Sequence, residues 1–168
     1  TIMYEGEKSG FEVLSNDLPD QLANIPTPEL LDGLSKVRIL RLSSGNNRTA
    51  SFTHRRFAEY LIAQRWLDRD DNLPLEHIPT DSLWRDTLVL YCEIAPIDKI
   101  TTIAEYCVRE LQDNLLTSLP QSGERWLRTL HTLRFFGEAF RSRSLALAKW
   151  EDALYHSVIK IVDKADLL

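Results

Sequence analysis

Several features that would narrow the function of this chain are scarce or missing. No apolar run approaches the ~20 residues that a membrane-spanning helix needs, so we expect no transmembrane segment. The two cysteines, Cys92 and Cys107, form no C-x-x-C pair, and the four histidines show no H-x-x-x-H or H-E-x-x-H spacing. A disulfide scaffold and a zinc site are therefore not predicted. We expect two reduced, buried thiols in a cytoplasmic protein.

The N-terminus also lacks the marks of a signal peptide and an initiator methionine. Its first five residues, TIMYE, have neither a basic flank nor an apolar stretch, and we expect the chain to be part of a longer protein. The 168 residues are 43% hydrophobic and 27% charged, which is the balance of a globular domain. A net charge of −5 argues against a dedicated nucleic-acid coat, although it leaves room for a local basic patch.

The first 68 residues alternate between helix and strand signals. Pro-containing turns are predicted at 17–20 and 25–28, and a helix should begin with Thr27 as its N-cap. The segment 37–42 reads as a strand, 43–47 as a turn and 49–53 as the return strand. A second helix is predicted from about 54 to 67, since apolar residues recur there at helical spacing. Its stripe places Phe57, Tyr60 and Trp66 in the core.

The remaining residues, 69–168, read as helical after a short connector at 73–79. Four amphipathic helices of about four to five turns follow, which favours antiparallel pairs. Asp98 is predicted to cap the second of them, and 118–121 resembles a capping box. The predicted fold is therefore mostly α: a winged-helix-like N-terminal part with a small β-hairpin in 1–68, then an antiparallel helical bundle or the start of a helical superstructure in 69–168.

The most specific stretch is 51–63, SFTHRRFAEYLIA. It resembles the F-x-H-x-x-F-x-E-Y-x-x-A signature that closes the winged helix of NACHT-type STAND NTPases. The matching residues are Phe52, His54, Phe57, Glu59, Tyr60 and Ala63. The later segment Leu83-Trp84-Arg85-Asp86 resembles the W-R-[DE] start of the following helical segment in bacterial members.

The resemblance implies a regulatory role. In this family the winged-helix histidine, His54 here, contacts the β-phosphate of ADP and holds the closed state; release allows the protein to oligomerise. The chain departs from the family in one respect: no glycine is followed by lysine, so it contains no G-x-x-x-x-G-K-[ST] phosphate loop. We therefore expect no catalytic residues, cofactor or metal in this chain. ADP or ATP would be held by an NTPase domain of the same protein, and the activated parent would be a homo-oligomer.

Two other functions remain open. The segment 36–69 carries eight basic and two acidic residues, a net charge of +6. A basic wing is typical of winged helices that bind DNA, so the chain could be a DNA-binding regulator with a helical dimerisation domain. We favour a surface that faces another protein domain, since the whole chain is acidic. The third hypothesis is an all-helical adaptor protein without a ligand. His54 alone could simply cap a helix, and Glu59 could be either a buried anchor or a surface carboxylate near Arg55 and Arg56.

Overall fold

The computed structural model describes residues 12–14, 18, 20–22, 24–44, 48–69, 73–116 and 123–165. It is mostly helical with a small antiparallel sheet ahead of the helices, which confirms the predicted fold class. The chain divides into two compact units, Thr1–Ile62 and Ala63–Leu168. The sequence pattern placed a boundary after Asp68 instead.

The first unit is built around a three-stranded sheet. Its elements are β1 (Glu12–Leu14), β2 (Gln21–Leu22), β3 (Ile25–Pro26), α1 (Thr27–Lys36), β4 (Leu40–Leu42), β5 (Thr49–Phe52) and the first turns of α2 (Arg55–Arg69). The sheet order is β1-β5-β4, with both pairings antiparallel, so the predicted return strand is central.

Two strand pairings were not predicted. Strand β1 has only three residues, too few to show the period-2 alternation that identifies a strand. Strands β2 and β3 form a two-residue ladder in a region that the prolines made us interpret as turn or loop. Asn24 connects them with a φ of 64°, a left-handed conformation that asparagine tolerates better than most residues.

The core of the first unit lies between α1 and the sheet. Leu31 of α1, Leu40 of β4 and Ala50 of β5 are its buried members. Partly buried apolar side chains pack around them: Leu18, Leu34, Ile39, Leu42 and Phe52. Alternate positions of both strands of the predicted hairpin therefore face α1, as the pleat requires.

The start of α1 differs slightly from the prediction. Its N-cap is Pro26, where no side-chain capping hydrogen bond is found among the residues that the structure describes. Thr27 is instead the first helical residue; it is buried, and its amide donates to the carbonyl of Asp20 at 2.9 Å. The predicted cap was wrong by one residue because this backbone bond, across the β2–β3 hairpin, satisfies the donor.

The end of α1 explains why β4 begins at Leu40 and not at residue 37. The amide of Arg38 donates to Ser35 at 3.0 Å, and that of Ile39 donates to Leu34 at 2.9 Å. Arg38 has a φ of 61°. These are the two crossed bonds and the left-handed residue of a Schellman motif, so Val37 and Arg38 terminate the helix.

The second unit contains the predicted helices. A 3-10 helix (Leu75–His77) precedes α3 (Ser82–Ile94), α4 (Ile97–Leu116) and α5 (Gly123–Ala139), and a second 3-10 helix (Ser144–Trp150) leads into α6 (Glu151–Ala165). Asp81 caps α3 by accepting from the amide of Leu83 at 2.7 Å. The prediction that Asp98 caps α4 was wrong, because that helix begins at Ile97 and Asp98 lies in its first turn. The predicted capping box at 118–121 lies outside the described residues.

The helices of the second unit bury a continuous apolar core. Its fully buried members include Leu88, Ile100, Ile103, Leu111 and Phe135. Arg143 ties α3 to the segment before α6, since its guanidinium donates to the carbonyls of Glu93 at 3.0 Å and Ala95 at 2.7 Å. Within the described ranges, no helix is long and apolar enough to cross a membrane.

Candidate functional site

His54 lies between the central strand of the sheet and helix α2. Its carbonyl accepts the amide of Phe57 at 3.0 Å, so its backbone begins the first turn of the helix. Its side chain is exposed, and its ring contacts that of Phe57 at a centroid distance of 5.9 Å. No hydrogen bond to the His54 imidazole is found among the described residues, so the capping interpretation holds for the backbone and not for the side chain.

Glu59 is buried in the second turn of helix α2. Only 2% of it is exposed, and its two carboxylate oxygens accept from Arg55 Nε at 2.5 Å and from an Arg56 terminal nitrogen at 3.2 Å. The sequence left two alternatives for Glu59, and the structure combines them: the carboxylate is buried and it pairs with both arginines. The pairing holds both guanidinium groups against Glu59, at the start of helix α2.

The electrostatic character of this turn is positive. The first turn of α2 contains no acidic residue, and the helix N-terminus adds the positive end of the helix dipole. Arg56 keeps 73% of its side chain exposed while it pairs with Glu59. Two arginines against one glutamate leave a net positive charge beside an exposed imidazole.

The core prediction for this helix was partly wrong. Trp66 is buried as predicted, at 7% exposure, but Phe57 is 39% exposed and Tyr60 is 47% exposed. Leu61, at 52%, lies on the same side. Ala58, Glu59 and Ala63 are buried instead, which means that the helix turns its small residues and its glutamate inward. We call Phe57, Tyr60 and Leu61 the α2 face.

One polar atom next to His54 was not singled out by the sequence. The hydroxyl of Thr53 is buried and has no hydrogen-bond partner within the described part of the chain. The backbone amide of Thr53 donates to the carbonyl of Ile39 at 2.9 Å, which fixes the residue at the end of the central strand. Only the three-dimensional arrangement reveals that the hydroxyl points inward, because a threonine at the end of a strand is unremarkable in sequence.

Part of the predicted basic patch is neutralised. Arg48 pairs with Asp32 of α1 at 2.9 Å, and Arg55 and Arg56 pair with Glu59. Arg41 remains exposed on the sheet. The net +6 counted along the sequence therefore overstates the positive charge of this surface.

The two cysteines are buried within the second unit. Burial raises the pKa of Cys92 from 9.0 to about 12, although Arg143 nearby acts in the opposite direction. Burial also raises the pKa of Cys107 well above its ordinary value, with further contributions from Cys92 and Glu110. Both thiols are thus protonated and unreactive in the folded protein. Across the described segments, no group of three potential metal ligands is found.

We compared the chain with known proteins. No protein-family model, no curated protein and no solved structure matches this chain.

Proposed function

We propose that this chain is the regulatory, non-catalytic part of a NACHT-type STAND signalling ATPase that acts in defence in the cytoplasm. The winged helix would gate the nucleotide state, and the helical arm would serve sensing or oligomerisation. The observation that carries the proposal is the exposed imidazole of His54 at the junction of strand β5 and helix α2.

The chemistry of the junction suits a phosphate. A helix N-terminus with no acidic residue in its first turn attracts anions, because the helix dipole is positive there. An imidazole N–H donates to a phosphate oxygen, and it does so more strongly when the ring is protonated. Arg56 extends the positive region beside it.

The α2 face indicates a neighbouring protein surface. Three large side chains of helix α2, Phe57, Tyr60 and Leu61, are exposed, and the ring of Phe57 contacts that of His54. Clustered exposed apolar residues mark interaction sites more often than scattered ones do. In the proposal, the NTPase domain of the same protein covers this face and presents the bound ADP to His54.

Catalysis would then belong to that other domain. The phosphate loop of such ATPases needs a glycine-rich turn followed by lysine, and no glycine of this chain precedes a lysine. ADP or ATP is accordingly a ligand of the parent protein, and the activated parent would assemble as a homo-oligomer.

The class of protein can be tested with the full-length gene product. The complete protein should contain a phosphate loop upstream of Thr1 and should release ADP when it is purified and denatured, as measured by ion-exchange chromatography of the supernatant. The 168-residue chain, treated identically, should release none. A complete protein without a phosphate loop and without bound nucleotide would contradict the proposal.

The second candidate is a DNA-binding winged helix, favoured by exposed basic residues such as Arg38, Arg41 and Arg56. Helix α1 argues against it, because it precedes the hairpin as a recognition helix would, yet it exposes Glu29 and Asp32. Duplex binding should fall steeply with salt if it occurs. We expect no salt-dependent binding of mixed-sequence duplex in a fluorescence anisotropy titration, and Arg41→Ala should change nothing there.

A further inference from the structure

Helix α6 carries apolar residues on two adjacent sides, and only one of these sides is buried in the second unit. One side packs inward: Ser157 and Ile161 are buried, and Ile161 clusters with Leu111 of α4. The adjacent side consists of four exposed apolar side chains, here called the α6 stripe. Its members are Tyr155 (65% exposed), Val158 (38%), Ile159 (43%) and Val162 (52%).

The spacing of the α6 stripe fits a helical partner. Its residues follow the i, i+3, i+4, i+7 pattern, which forms one continuous ridge of about 10 Å along the helix axis. Amphipathic helices bind each other through anchors at these intervals. Four large exposed side chains in one ridge differ from the single exposed residues that any protein surface carries.

Acidic residues line one edge of the stripe. With about 100° of rotation per residue, Asp152 and Asp163 both fall on the side of Ile159. Both carboxylates belong to exposed residues, as does Glu151 at the N-terminal end of the helix. Lys160 is also exposed, but it lies on the far side of the helix, away from the stripe.

This charge pattern disfavours a second copy of the chain. In an antiparallel pair of α6 helices centred between Val158 and Ile159, Asp152 of each copy would lie on the same edge as Asp163 of the other and within two residues, about 3 Å, of its level along the axis. Like charges in such positions oppose association. An anionic membrane surface is disfavoured for the same reason, since surface-bound helices carry lysine or arginine beside their apolar face.

We propose that the α6 stripe is a docking surface for an amphipathic helix of a partner protein that carries lysine or arginine beside its apolar face. Leucine-like side chains would cover Val158 and Ile159, and the basic side chains would lie along Asp152 and Asp163. This inference concerns the second unit alone and does not rest on the proposed nucleotide role of His54.

A pair of synthetic peptides tests the charge preference. Both are amphipathic helices of about five turns with the same leucine face, flanked by lysine in one and by glutamate in the other. Isothermal titration of the 168-residue chain should show the lysine peptide binding at least ~10-fold more tightly at low salt, with the difference shrinking as NaCl is added. Asp152→Lys with Asp163→Lys should reverse the preference.

Variants of exposed residues locate the binding site without perturbing the core. Ile159→Ser with Val162→Ser should weaken binding of the lysine peptide by about 10-fold or more, because fully covered anchors dominate such interfaces. Leu145→Ser is the matched control: Leu145 is 81% exposed in the same unit but lies outside the stripe, and its variant should bind normally. Circular dichroism verifies that each variant is folded.

Three results would overturn the proposal. The first is equal affinity for the two peptides, and the second is binding that the stripe variants do not weaken. The third is a concentration-dependent rise in mass, or adsorption to phosphatidylserine vesicles, that disappears in Ile159→Ser with Val162→Ser; the stripe would then serve a second copy or a membrane. None of these results bears on the proposal that His54 contacts ADP, which is tested separately with the complete protein.

Discussion

At the scale of single residues, Glu59 is a buried carboxylate that pairs with two arginines of the first turn of its own helix. A buried carboxylate is costly unless it is paired and hydrogen-bonded, and Glu59 meets both conditions through Arg55 and Arg56. Both arginines are partly exposed and can return to water when the carboxylate is removed. The loss of Glu59 should therefore be destabilising without being severe.

Glu59→Gln should lower the free energy of unfolding by about 1–2 kcal/mol, because it replaces charge-assisted bonds with weaker neutral ones. Urea denaturation followed by circular dichroism measures the change. Asp32→Asn is the control, since the Arg48–Asp32 pair is about half exposed on both sides, and it should cost less than ~0.5 kcal/mol. Equal effects of the two substitutions would show that the buried pairs of Glu59 contribute no more to stability than the exposed Arg48–Asp32 pair does.

The buried thiols give the second unit a defined response to alkaline pH. Above pH 9.0, the unfolded chain loses thiol protons that the folded chain keeps, because burial raises the pKa of Cys92 to about 12 and raises that of Cys107 as well. The unfolded state is thus favoured as the pH rises above 9.0. Stability from these thiols is fully present below that pH and is lost between it and the folded-state pKa values.

Between pH 8 and pH 10, the two thiols together should reduce the free energy of unfolding by about 2–3 kcal/mol. Urea melts of the wild type and of Cys92→Ala with Cys107→Ala, compared at both pH values, isolate this contribution from that of other titrating groups. Between these pH values, the free energy of unfolding of the double variant should fall by about 2–3 kcal/mol less than that of the wild type. An identical loss in both proteins would mean that the thiols are accessible in the folded state.

At the scale of elements, the helices and the hairpin follow from their apolar periodicity, while their ends do not. The helix α4 starts at Ile97, one residue before the predicted cap, and β4 starts only after the Schellman turn of α1. The prediction of the core residues of α2 was partly wrong for a different reason. Periodicity locates one apolar face, but it does not reveal that Glu59 and two alanines are buried while Phe57 and Tyr60 are exposed.

The Schellman turn predicts a stabilising substitution. Arg38 has a φ of 61°, which costs a side-chain-bearing residue about 1 kcal/mol relative to glycine. Arg38→Gly should accordingly raise the free energy of unfolding by up to ~1 kcal/mol in urea melts. Arg41→Gly, in the extended conformation of β4, should lower it. A destabilised Arg38→Gly would indicate that the arginine side chain contributes more than its backbone strain costs.

Trp84 links elements of the second unit through ring contacts. Its ring stacks on Trp66 at 5.9 Å and on His77 at 6.1 Å. Trp84→Ala should cost about 3 kcal/mol of unfolding free energy, as expected for truncating a packed aromatic side chain. Phe57→Ala, at a residue that the sequence placed in the core, should cost less than half as much because Phe57 is 39% exposed. Comparable losses would mean that Phe57 is covered in solution.

At the scale of the whole molecule, composition and periodicity were sufficient for the fold class but not for the site. The order of helix, hairpin and helix in the first unit is readable because the turn and the alternation are local signals. The third strand, β1, depends on pairing with β5, more than thirty residues away in sequence, and no local pattern encodes it. The environment of His54 likewise depends on the ion pairs of Glu59 and on the unexpected exposure of Phe57.

The most direct test of the central proposal is the affinity of the complete protein for ADP, measured by isothermal titration for wild type and His54→Ala. Loss of one hydrogen bond to a charged phosphate, about 1.5–3 kcal/mol, should weaken ADP binding by roughly 10- to 100-fold and raise signalling without a trigger. His156→Ala, at an exposed histidine of α6, should leave both unchanged. Within the 168-residue chain, His54→Ala should alter stability by less than ~0.5 kcal/mol. Unchanged ADP affinity and unchanged basal signalling in His54→Ala would contradict the nucleotide latch.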